Sequence, residues 1–235
     1  MDRRGFVKLC TSVVGLHTVN PKLLAQESGV LKYFQRVKLV NAVGEAIKGA
    51  LLPPRVAHLF HYPFVGTPCF LVKCDESIRE SVPLATSAGQ HYKWEGGVGP
   101  GRSIVAFSAI CPHQLSYPSK RQSFINYRPD MSQAAGRSNV IVCCAHHSIF
   151  DPAQGGKVIG GPAPQPLTTI VLEHDGTHDE LYAVGTYGGE MFDEFFRAYK
   201  IDLIEEFGRG AAKQEVTATA TVLTADAYTA EEVMC

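Results

Sequence analysis

Two short boxes constrain this 235-residue chain more than any other feature: "CPH" at residues 111–113 and "CCAHH" at residues 143–147. Each directly follows an apolar, strand-like run, "SIVAFSAI" before Cys111 and "NVIV" before Cys143. Both boxes are therefore expected on strand-exit loops that a sheet brings side by side. Thiolates and imidazoles are the soft and borderline donors that bind zinc or iron, and two of each suit a zinc site or one type of iron–sulfur centre. Structural zinc sites usually put two cysteines on one knuckle. Here each loop offers one Cys and one His, which suits a centre whose two irons differ: cysteines on one, histidines on the other.

The rest of the pattern is mainly β. "YFQRVKLV", "RVAHLFHYPF" and "PCFLVKC" read as strands, and "PLTTIVLEHDGTHDELYAVGT" reads as a hairpin turning at Asp175-Gly176. "EMFDEFFRAY" changes period, with Met191, Phe195 and Tyr199 four apart beside Phe192 and Phe196. That predicts one C-terminal amphipathic helix, ended by Gly208 and Gly210, with its aromatic stripe as core. The Ala/Thr-rich tail from residue 211 reads equally as a β extension or as disordered chain.

The N-terminus predicts export. Arg3-Arg4 precede a short apolar run from Leu9 to Val19, the shape of a twin-arginine leader over residues 1–25. The run falls short of the roughly 20 residues that cross a bilayer, so no transmembrane span is expected, although an uncleaved leader would act as a peripheral anchor. The destination is the periplasm. With 22 Lys and Arg against 23 Asp and Glu, the charge is balanced, which argues against a nucleic-acid partner. Of the seven cysteines, Cys10 lies in the leader and Cys235 at the last position, while Cys111, Cys143 and Cys144 stand near histidines. Cys69 and Cys74 remain as a candidate bridge, but their odd spacing puts them on opposite faces of a strand, so two free thiols are expected.

These boxes, followed by Ser148, Phe150 and Asp151 and then by "GGPAP", resemble the Rieske iron–sulfur proteins over roughly residues 103–185. The resemblance implies a mainly β fold, a β-sandwich base domain with an inserted cluster-binding subdomain. The expected limits are 30–208 for the domain, about 105–166 for the cluster-binding part, and 209–235 for a separate tail. It implies one [2Fe-2S] cluster per chain. Two registers satisfy the second box. Cys143 with His146 aligns without gaps to the general pattern, whereas Cys144 with His147 fits a periplasmic subgroup. The favoured ligand set is Cys111, His113, Cys144 and His147, with Cys143 and His146 as the alternative register. Gly161, Pro162 and Pro164 correspond to the proline loop that lids the cluster in the cytochrome bc group. The inter-loop disulfide of bc-type members is absent, because Ser116 and Ala145 stand at its positions. The spacer after His113 is long, and its Tyr117, Arg121, Tyr127 and Arg128 read either as a docking surface or as a solvated insertion.

A serine and a tyrosine after the second histidine raise the potential in high-potential members. Ser148 retains one and Phe150 replaces the other, so an intermediate value is expected, roughly 0 to +200 mV. The resemblance implies one-electron transfer rather than catalysis by this chain alone, so no catalytic residue is assigned. The expected partners are a larger oxidoreductase subunit and a c-type cytochrome, a situation similar to that of the Rieske subunit of arsenite oxidase. The competing readings are a quinol-oxidising subunit of a bc-like complex and a structural zinc module.

Overall fold

A computed structural model describes residues 30–235; the leader expected over residues 1–25 lies outside them. The strands in chain order are β1 Leu31–Val40, β2 Ala57–His61, β3 Pro68–Lys73, β4 Val82–Ala85, β5 His91–Trp94 and β6 Ile104–Ser108. Next come β7 Ile125–Arg128, β8 Val140–Cys143, β9 Ser148–Asp151 and β10 Lys157–Gly160, followed by β11 Thr169–Asp175, β12 Glu180–Tyr187, β13 Thr219–Thr221 and β14 Leu223–Thr224. The large sheet has the order β13-β1-β12-β11-β6-β3-β2-β14, and a four-stranded sheet β10-β9-β8-β7 is inserted between β6 and β11. The mainly β base with an inserted subdomain is thus the architecture the sequence pattern calls for.

Apolar alternation sets the faces. Cys69 and Leu71 of β3 join Leu39, Phe60, Ile104 and Ala106 in one core. Phe70 and Val72 turn the other way, to Val105, Phe107 and Trp94. That second core continues into the small sheet through Ile125, Tyr127, Ile141, Cys143 and Phe150, so the inserted subdomain shares the base's core. The same alternation puts Cys69 and Cys74 on different sides, and both are free thiols.

The expected single helix is two: α1 Phe192–Ala198 and α2 Lys200–Phe207. The break falls at Tyr199, whose ring packs on Phe195 and on Tyr117 of the spacer. The spacer does not present a docking surface of four side chains. Tyr127 and Arg128 are buried on β7, Tyr117 is half-buried against the helices, and only Arg121 is exposed.

The segment after residue 218 is ordered as a strap. β13 runs parallel to β1 and β14 antiparallel to β2, so consecutive pieces of one segment cover both edges of the large sheet. Beyond it the chain runs beside the spacer. Ala230 N–H donates to Lys120 O at 2.9 Å, Ser123 N–H to Glu231 O at 2.8 Å and Val233 N–H to Ser123 O at 2.9 Å.

Candidate metal centre

The first box lies on the loop that leaves β6. Cys111 N–H donates to Ser116 O and Leu115 N–H to Cys111 O, both at 2.9 Å, and Leu115 turns the chain through a left-handed φ of 61°. Beneath it, Ile110, Leu115 and Tyr117 pack into an aromatic cluster with Phe192, Phe195 and Phe196. The helical stripe is therefore core, as expected, and it is specifically the seat of the first loop.

The second box is the turn of the β8–β9 hairpin, in which Cys143 pairs with Ser148 and residues 144–147 make the connection. Ile141 and Cys143 share the inward face of β8 with Phe150 of β9. Alternation then turns Cys144 away from them. Its N–H donates to Phe124 O at 2.6 Å, and its sulfur is bonded to Cys235. This disulfide corrects the expectation that Cys69 with Cys74 was the sole candidate bridge. The "GGPAP" loop lies over the turn. Gly161 has a φ of 80°, and a Cβ there would overlap the His147 carbonyl and stand 2.6 Å from Ser148 Cα. Ala163 and Ala145 both pack on the same core, while Pro162 and Pro164 face outward.

The two loops bring together Cys111, Cys143, His113 and His146. Cys111 and Cys143 are both almost fully buried. Each thiol acts on the other, raising the Cys111 thiol and lowering that of Cys143. The backbone N–H groups of Ala145 and His146 and the Ser116 hydroxyl further favour a thiolate at Cys143, and His113 N–H does so at Cys111. The His113 and His146 rings are 4.7 Å apart at 83°. Cys144 and His147, the favoured register, are not part of this arrangement: Cys144 is a half-cystine, and His147 stands at a left-handed φ of 57° on the far end of the turn. The pair brought to Cys111 and His113 is the alternative one, Cys143 and His146.

Two polar atoms here are buried without a hydrogen-bond partner, His113 Nδ1 and Ser148 Oγ. Burying such atoms unpaired is costly, so they fit a site that a bound group completes. Ser148 Oγ is close enough to Cys111 to favour its thiolate, yet short of a formed hydrogen bond. A binuclear cluster takes two thiolates at one iron and two imidazoles at the other, which is how these donors are grouped. Phe150 is fully buried and has no donor to offer a sulfur.

Residues 96–171, which include both boxes, match the family model described as the Rieske [2Fe-2S] domain. Over those residues the chain is similar to Rieske domains. Among curated proteins it is similar to the iodate reductase subunit IdrB of Denitromonas iodatirespirans, at 34% identity over 134 residues, 55% of this chain and 54% of that protein. The subunit of the same name from Pseudomonas sp. (strain SCT) is 31% identical over 129 residues, 55% of this chain and 52% of that one. The chain thus aligns with about half the length of these relatives. Among solved structures, the soluble domain of the Rieske protein II (soxF) from Sulfolobus acidocaldarius is 29% identical, covering 69% of this chain and 85% of that chain, with a TM-score of 0.47. The Rieske match ends at residue 171, before the aromatic helices and before the strap that supplies Cys235.

Proposed function

We propose that this protein is a one-electron transfer subunit of an oxidoreductase, holding one [2Fe-2S] cluster through Cys111, Cys143, His113 and His146. The observation that carries the reading is the grouping of donors: two buried free thiols and two imidazoles 4.7 Å apart, with one of each kind from either loop. When bound, the cluster supplies a site that takes up and releases a single electron. The protein's residues set where the electron passes and at what potential. The cysteines close the buried side, while His146 is exposed and gives a redox partner a short approach. N–H groups of Ala145 and His146 directed at Cys143, and the Ser148 hydroxyl near Cys111, stabilise the more negative, reduced state and so raise the potential.

The partner is a larger oxidoreductase subunit on one side and a c-type cytochrome on the other. The similarity to subunits named for iodate reductase supports the first of these. Delivery to the periplasm through the Arg3-Arg4 leader is part of the same reading. The Cys144–Cys235 disulfide supports it, since such bonds persist in oxidising compartments. Purified protein should contain two irons and two acid-labile sulfides per chain. After dithionite it should give the axial paramagnetic signal of mixed Cys/His ligation. One bound zinc without sulfide would end the proposal. Oxidation of the reduced protein by a c-type cytochrome is expected, and direct reduction by a quinol in membranes would instead favour a bc-like role. Arg3→Lys with Arg4→Lys should leave loaded protein in the cytoplasm.

A further inference from the structure

The turn that carries His146 is short, and His146 and His147 at its tip are exposed. In bc-type relatives, as the sequence resemblance implies, a bond between the two loops would brace it, but Ser116 and Ala145 occupy those positions. One residue from Ala145, Cys144 is bonded to Cys235, 91 positions away. We propose that the strap and its Cys144–Cys235 bond are the brace of the second cluster loop, making Cys144 and Cys235 positioning residues for Cys143 and His146. This rests on the ligand assignment above.

The strap is anchored where such a brace needs it. At one end β13 and β14 close the large sheet against β1 and β2, and the Tyr228 hydroxyl pairs with His61 Nε2 at 2.9 Å. At the other end Val233 O accepts from Arg128 Nη2 at 2.8 Å and from Asn126 Nδ2 at 3.2 Å. Arg128 and Asn126 lie on β7 opposite Val140 and Val142 of β8. The bond therefore joins the turn after β8 to a segment already held on β7, closing a short mechanical circuit around the strand that presents Cys143. It also removes the Cys144 thiol, adjacent to Cys143 in sequence, from competition for iron. Forming the bond takes two electrons and two protons from the Cys144 and Cys235 thiols, accepted by the disulfide of a thiol–disulfide exchange protein, which becomes a dithiol.

The test compares loaded wild type with Cys144→Ser, Cys235→Ser and the double variant, well below the unfolding temperature. The readouts are iron release to a chelator, the paramagnetic signal, visible circular dichroism and midpoint potential. All three variants should release iron faster by about tenfold or more, with a broadened signal, since removing a native disulfide frees far more than the ~1.4 kcal/mol this factor represents. Reducing the bond in intact wild type with a phosphine should reproduce the change, and reoxidation should reverse it, so the proposal is tested even if a variant fails to load. Should Cys144→Ser match wild type while Cys235→Ser is impaired, the bond only masks a competing thiol, and the brace is wrong. Unchanged release, signal and potential in every arm would reduce the strap to general stability. Unmodified protein that carries no iron or sulfide would sink the site itself, an outcome distinct from either.

Discussion

Residues 109–117 rest on the aromatic cluster of the C-terminal helices, whereas residues 143–148 turn only Cys143, Ala145 and Ser148 inward and leave both histidines outside. Tyr117 packs edge-to-face against Phe195 at 4.9 Å and Tyr199 at 4.7 Å, and Ile110 and Leu115 join the same cluster. The second loop has His146 and His147 in solvent, and it is held instead by hairpin register, the close approach of Gly161 and a disulfide. The two loops present the same kinds of donor, but they differ in how much apolar surface lies under them. A loop with side chains to bury is held by packing, whose strength grows with buried area. A loop that must expose an imidazole to a partner has little area to bury, and backbone and covalent contacts take over.

The largest effect expected from this contrast separates neighbouring residues. Cys143→Ser should abolish the cluster, read as loss of all iron and sulfide, whereas Cys144→Ser should still assemble one. The reverse result would restore the Cys144/His147 register and undo the comparison. Next, Phe195→Ala, at a fully buried ring, should cost about 3–5 kcal/mol in chemical unfolding and loosen the first loop. A loss under about 1 kcal/mol would mean that the aromatic layer is not its support.

The strap should show a pH dependence through its contact with His61. Burial pushes His61 down to about 4, below its ordinary value near 6.5. The unfolded chain then binds the proton more readily between these values, so stability falls as pH drops from about 6.5 to 4, by roughly 2–3 kcal/mol. His61→Phe should flatten that slope in unfolding measured across the window; an unchanged slope would place the titration elsewhere. Gly161→Ala forces a side chain into a left-handed φ against the His147 carbonyl. It should cost about 1–3 kcal/mol in thermal unfolding and release iron faster. A neutral outcome would free the second loop from the glycine contact. The smallest effect is on potential. Ser148→Ala should lower it by on the order of 50 mV, about 1 kcal/mol for one electron, without loss of iron. No shift in voltammetry would mean that the orphaned hydroxyl does not serve a sulfur.

The large features were legible because they are local. Alternation marks β1, β3 and β6, Asp175-Gly176 marks the hairpin, and apolar runs ending at Cys111 and Cys143 mark the loop exits. The register of the second box is not marked by β8 alone, because all four of its residues are apolar and buried; core membership separates them. Ile141 and Cys143 are two apart in a buried strand, so they share its inner face and Cys144 turns outward. Motif similarity to a subgroup favours the neighbouring pair, Cys144 with His147, and the Cys143→Ser and Cys144→Ser comparison decides between the two. The break at Tyr199 was not legible, because its apolar spacing suits one continuous helix and only packing on Tyr117 distinguishes two.

By itself the sequence determined the donor types, the strand exits that present them and the absence of an inter-loop pair at Ser116 and Ala145. Each of these is a property of residue identity or of side-chain periodicity over a few positions. The partner of Cys144, the closure of the large sheet by residues 219–224 and the burial of Tyr127 and Arg128 were decided by tertiary structure alone. They join segments dozens of positions apart. Such pairings follow from which edges and loops the folded sheets bring within reach, and no local pattern encodes that distance.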